Sequence, residues 1–234
     1  MRAYRLGIRL IQVATGLAFI VLIAGFFGVW GGKEPLKPDP VIPLPDVSSP
    51  QIPTWTNPKI VCLGDSFTQG YPLTPAQSWP KRLGDVLQVE VVNKGKAQQT
   101  AKDLLARFDA DVTAENPGRV IIFAGIGDAI QGVPLADVKA NIKAMVEKAR
   151  AQDIVPILAL PIGYPGFQVS IRAIREWETE YAKAEDIMLI DFSRVLFDED
   201  GKFLSGLASS NDKYPNDKGY EKMGDYAAQL LKLE

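Results

Sequence analysis

The stretch "LGDSFTQG", residues 63–70, has residue types and spacing suited to acyl chemistry. It follows the apolar run "KIVCL" (59–63), so Ser66 stands in a glycine-bounded turn directly after a strand-like segment. A serine held in this way attacks an acyl carbonyl when a neighbouring base takes its proton and amide donors stabilise the oxyanion. The usual base is a histidine, and the 234-residue chain contains none. The turn thus offers a nucleophile without its customary partner. The single cysteine, Cys62, cannot form an intramolecular disulfide and reads as a small buried hydrophobe within the apolar run.

The elements that would position Ser66 are legible in the hydropathy pattern. Short β-branched runs at 59–63, 89–93, 119–125, 154–161 and 187–192 are bounded by turn residues, as strands buried on both faces should be. Between them, residues 75–87, 99–115, 134–152 and 168–184 carry apolar residues at three- and four-residue spacing, and 216–233 closes the chain in the same way. Five alternations predict a doubly wound α/β domain: a five-stranded parallel sheet with helices on both faces and the functional crevice beyond the carboxyl ends of the strands. Asn216 is placed to cap the last helix, and Asp65 and Asp128 to satisfy loop amides or helix starts.

Four blocks in order carry a family resemblance: the GDS turn, "VVNKGKAQQT" (91–100), "VIIFAGIGDAIQG" (120–132) and "NDKYPNDKGYEKMG" (211–224). With these, the chain from Lys59 onward resembles the GDSL, or SGNH, hydrolases, the thioesterase I and lysophospholipase branch above all. The resemblance implies the flavodoxin-like fold of that family, no cofactor, and acyl esters, lipids or acetylated glycans as ligands. It also implies roles. Ser66 falls on the nucleophile, and its amide is the first oxyanion donor. Gln98 falls on the oxyanion glycine and Gly127 on the oxyanion asparagine, so a side-chain donor is missing. Tyr214 falls on the histidine and Asn211 on the aspartate that orients it.

A phenol with a pKa near 10 does not serve as a base at neutral pH. Asp212 and Lys213 are the nearest makeshift bases, one out of register and the other needing desolvation to act. The expectation is an impaired or inactive hydrolase whose cleft binds an acyl or acetylated envelope ligand. Two alternatives stay open: a weak Ser66-dependent esterase, and an envelope interaction domain using aromatics such as Tyr71, Tyr164 and Phe167. Trp79, on a helical face, reads as core. Asp65, Asp128 and Asp212 do not amount to a metal site, and no metal is expected.

Residues 1–32 read as a membrane anchor. "LIQVATGLAFIVLIAGFFGVW" runs uncharged from Leu10 to Trp30, long enough for a helix to cross a hydrocarbon core. Arg2, Arg5 and Arg9 before it favour an amino terminus inside and a single-pass protein with its body on the extracytoplasmic side. A removed signal peptide is the alternative. Residues 33–58 hold 8 of the 17 prolines and read as a semi-rigid linker to a hydrolase-like domain at 59–234. Beyond residue 31 the chain carries 23 basic and 28 acidic side chains, a balance that excludes a phosphate-neutralising nucleic-acid binder. No protein partner is legible.

Overall fold

The computed structural model describes residues 55–232, so the expected anchor and most of the proline-rich linker lie outside the described residues. Among the described residues, no helix is long and apolar enough to cross a membrane. Trp55 and Asn57, at the end of the expected linker, lie against the sheet's lower edge. The Arg119 guanidinium sits 3.7 Å above the Trp55 ring, and Asn57 Nδ2 donates to Asn116 O.

Five strands, β1 (Ile60–Gly64), β2 (Val91–Gly95), β3 (Arg119–Phe123), β4 (Val155–Ala159) and β5 (Met188–Ile190), form one parallel sheet in the order β2-β1-β3-β4-β5. Side chains alternate across the strands. Ile60, Cys62, Ile121, Phe123 and Ile157 enter one core; Val61, Leu63, Val120, Ile122 and Leu158 enter the other. A strand apolar at every position is therefore what two cores demand. Helices α2 (Trp79–Leu87) and α9 (Asp217–Leu231) cover the first face. On the second lie α3 (Ala101–Ala106), α4 (Phe108–Asp111), α6 (Leu135–Arg150) and α7 (Gln168–Ala184). Trp79 is fully buried, which places it in the core.

From β1 the chain steps outward to β2 and then returns past β1 to β3, so the crevice at which the winding reverses lies between the carboxyl ends of β1 and β3. Both ends continue into short helices, α1 (Ser66–Gln69) and α5 (Ile126–Gln131), which are too short to leave a periodic signature. α8 (Ser193–Leu196) follows β5.

Two elements differ from the sequence expectation. The strand expected at 89–93 pairs at Val91–Gly95, because Gln88, at φ 57°, ends α2 in a left-handed turn. β2 is also half-buried throughout, as an edge strand. The single helix expected at 99–115 breaks at Arg107 (φ −106°, ψ 6°), leaving α3, α4 and a 3₁₀ turn at Thr113–Glu115. Arg107 is held there by donating to Gly64 O and to Gln99 Oε1. Asn216 caps α9 as expected, accepting from Gly219 N at 3.0 Å.

Candidate active site

Asp65 and Ser66 sit at the junction of β1 and α1. Asp65 caps the helix, its Oδ1 accepting from Phe67 N at 2.9 Å. Ser66 opens α1 and is nearly buried. The turn works because β2 ends in Gly95: a Cβ there would lie 2.1 Å from Gln69 N, so only glycine lets α1 rest against the neighbouring strand.

The loop after β2 brings Gln98 over Ser66. The Gln98 amide donates to Ser66 Oγ at 3.2 Å, and Gln98 adopts φ 63°, a left-handed backbone that costs a non-glycine residue roughly 1–2 kcal/mol. The position thus keeps the backbone geometry of a glycine while carrying a glutamine side chain. Gln131 Nε2, from the end of α5, donates to Gln98 O at 2.9 Å and holds the peptide in place. The loop then enters α3 through a capping box at Thr100 and Asp103, and Asp128 Oδ2 accepts from Ala101 N at 2.8 Å.

Gly127 lies in the first turn of α5, facing this loop. A Cβ at Gly127 would stand 2.1 Å from Gln99 O. The Gln99 peptide occupies the place into which a side chain at 127 would project, so the missing donor is not an empty vacancy.

Tyr214 completes the cavity from the loop before α9. Its ring packs 5.0 Å from Phe67, 4.9 Å from Tyr71 and 5.8 Å from Tyr164, centre to centre. Its hydroxyl lies 3.5 Å from that of Tyr164. Burial, then the Tyr164 hydroxyl, push the Tyr214 phenol well above its ordinary pKa, so it stays protonated and does not supply a phenolate base. Burial also raises the Asp65 carboxyl to about 7, opposed by the Phe67 amide and reinforced by the charge of Asp128.

Together Asp65, Ser66, Gln98, Gly127, Tyr164 and Tyr214 line a cavity of about 460 Å³. Asn211, Asp212 and Lys213 are not among its lining residues. Asn211 Oδ1 accepts from Ser209 Oγ and Lys213 N, bonds of a local turn rather than to Tyr214, whose ring is held by Phe67, Tyr71 and Tyr164. Asp212 and Lys213 are exposed, and Asp212 borders a different cavity. Among the described residues, no side-chain base hydrogen-bonds Ser66 Oγ, and no group of three or more acidic, cysteine or histidine side chains is placed to hold a metal ion. Gln131 and Arg107, which fix the loop, carry no sequence signal. Tyr164, expected as an exposed contact, is instead half-buried in the cavity wall.

A parallel sheet with a serine at the head of its first short helix, met by a loop amide across the switch crevice, defines a serine-hydrolase scaffold of the α/β class. The model of the GDSL-like lipase/acylhydrolase family matches residues 62–222, and the chain belongs to that family. It is similar to a solved member of the G-D-S-L lipolytic family from Desulfitobacterium hafniense DCB-2. That likeness has 55% identity and a TM-score of 0.74, over 75% of this chain and 100% of the other. Among curated relatives, it is 32% identical to esterase TesA of Pseudomonas aeruginosa over 45% of this chain and 55% of the relative. It is 27% identical to thioesterase 1/protease 1/lysophospholipase L1 of Escherichia coli over 45% of this chain and 53% of the relative. The chain thus spans about half the length of these curated relatives.

Proposed function

We propose that this protein binds acyl esters in the Ser66 cavity without using Ser66 to hydrolyse them. The observation that carries the reading is the pairing of a retained Gln98 amide on Ser66 Oγ with a protonated Tyr214 phenol where a base is needed. An ester carbonyl fits such a site as a neutral acceptor among neutral donors. Without a base the serine proton has nowhere to go, and loss of a side-chain oxyanion donor removes a further ~10²–10³ in rate. The esterase and thioesterase names of the relatives support an ester as the ligand class.

Residues 1–32 would tether the domain on the extracytoplasmic side, where lipids and acetylated glycans are the available esters. The uncharged Leu10–Trp30 stretch supports this. So does the name of a Bacillus subtilis relative, an uncharacterized lipoprotein, 27% identical over 61% of this chain.

The full-length protein is tested with short and medium acyl esters and a serine-directed phosphonate, beside Ser66→Ala and a Tyr214→His, Asn211→Asp double variant. The expected result is ester binding with turnover that does not depend on Ser66. Ser66-dependent turnover by the unaltered protein would sink the reading in favour of a weak esterase, which the retained Gln98 contact favours. A gain of Ser66-dependent turnover in the double variant would locate the defect in the base.

A further inference from the structure

Positions 98 and 127 exchange what they offer the Ser66 cavity. Where the family resemblance puts a glycine the chain has Gln98, and where it puts an asparagine the chain has Gly127. A side-chain amide is lost from α5 and another appears on the facing loop, both positions lining the same cavity.

Position 127 has no donor left for a ligand. The Gln99 peptide fills the space beside it, and its own amide is drawn to the buried Asp65 carboxyl. The other side-chain amides of the loop are committed: Gln99 Oε1 accepts from Arg107, and Gln131 Nε2 donates to Gln98 O. Gln98 differs. Its peptide is held on both sides, the N–H by Ser66 Oγ at 3.2 Å and the C=O by Gln131, while its side chain is exposed and makes no hydrogen bond among the described residues. A glycine at 98 would avoid the cost of a left-handed backbone at φ 63°, so the side chain stands there against the local preference of the chain. The result is an uncommitted carboxamide on the one peptide that already touches the serine oxygen.

Resting on the acyl-ester reading above, we infer that the Gln98 carboxamide donates to the carbonyl oxygen of the bound ester, taking over for binding the donor absent from position 127. Gln98 is then a specificity-determining residue, the one that tells a carbonyl from an ether. Such a donor serves binding rather than hydrolysis. A group on several rotatable bonds loses entropy when the ground-state carbonyl orders it, whereas oxyanion stabilisation needs donors fixed beforehand.

Butyl ethyl ether has the skeleton of ethyl butyrate without its carbonyl, so the ratio of their affinities for the full-length protein, from ligand-observed NMR titration, isolates this contact. Gln98→Met keeps length and bulk without the donor. Gln98→Gly removes the side chain and keeps the backbone the position adopts, and Gln98→Glu puts an acceptor where the donor was. Ile130→Trp, at a lining residue that is 42% exposed, blocks the cavity itself.

Gln98→Met and Gln98→Gly should each lower the ester-to-ether affinity ratio about fivefold, as one net hydrogen bond contributes, and Gln98→Glu should lower it further. An unchanged ratio in either of the first two overturns the inference; a ratio held by Gln98→Met but lost in Gln98→Gly would assign the effect to bulk. If the ratio is unchanged while Ile130→Trp abolishes ester binding, the inference alone falls and the acyl-ester reading stands. If ethyl butyrate does not bind, or binds equally well to Ile130→Trp, the ester is not held in the Ser66 cavity and both fall.

Discussion

Ser66 and the Gln98 amide sit on segments tied directly to the sheet, whereas Asn211 to Tyr214 sit on a loop whose neighbours are another loop and the start of α9. The first region supplies backbone groups fixed by strand ends, a helix cap at Asp65 and a capping box at Thr100. The second supplies side chains alone, and three of its four residues face solvent. The family's geometry survives in the first region even where residue types differ, as Gln98 shows by keeping φ 63°. In the second, Tyr214 and Asn211 stand where the resemblance would put the base and its orienting acid, and Asp212 between them is left-handed at φ 54°. Roles played by backbone are maintained by folding itself; roles played by loop side chains are maintained only by the chemistry they perform.

The hardest blow to this contrast comes at Gly127. Restoring the family's asparagine there pushes a Cβ against Gln99 O, in a loop pinned by Gln131, Arg107 and the α3 cap. Gly127→Asn should therefore destabilise by about 3 kcal/mol, the upper end for overpacking, read as a lower urea midpoint with unchanged slope. If the variant is as stable as the parent, the loop is free to move and the strand-end region is as permissive as the base loop.

Asp65 gives a comparable effect, but spread over about three pH units so that any one unit carries no more than about 1.4 kcal/mol. Its folded pKa of about 7 lies above the unfolded value near 3.9, so the folded state binds the proton more tightly. Its contribution is full below the unfolded pKa and is lost as pH rises from about 4 to about 7, with a slope approaching 1.4 kcal/mol per pH unit. Glu178 on α7, buried with neither carboxyl oxygen hydrogen-bonded, adds a slope of the same sign. Asp65→Asn keeps an oxygen for the Phe67 amide and removes only the Asp65 share. Denaturation curves of parent and variant that stay parallel between pH 4 and 7 would show that Asp65 is solvated in the folded protein.

These outcomes bear on what was readable in advance. The sheet was legible because the inner strands β1, β3 and β4, buried on both faces, leave short apolar runs, while edge strand β2, with Asn93 and Lys94, was placed two residues early; α6, α7 and α9 were legible because their apolar stripes are long. The break at Arg107 was not, since it depends on hydrogen bonds from that guanidinium to Gly64 and Gln99, which are distant or out of phase in the chain. Of the residues singled out from the sequence, Ser66, Gln98, Gly127 and Tyr214 line one cavity, whereas Asn211, Asp212 and Lys213 do not. What each replacement means was not legible. The sequence records a glycine at 127 but not the carbonyl that requires it, and a glutamine at 98 but not its left-handed backbone.

The smallest effect belongs to the base loop, and it separates the two regions most sharply. Lys213 is exposed and Asp212, at φ 54°, borders a cavity other than that of Ser66. Asn tolerates the left-handed conformation, so Asp212→Asn tests the carboxylate without adding backbone strain. Lys213→Ala and Asp212→Asn should each change stability by less than about 0.5 kcal/mol, as surface substitutions do, and leave ester hydrolysis unaltered. Neither residue lines the Ser66 cavity, so neither is placed to take the serine proton. Should the unaltered protein show Ser66-dependent turnover after all and either variant lose it, the loop swings inward when ester binds and brings a working base with it. The contrast would then lie between a rigid half of the site and a mobile one, and Tyr214 would mark the hinge between them.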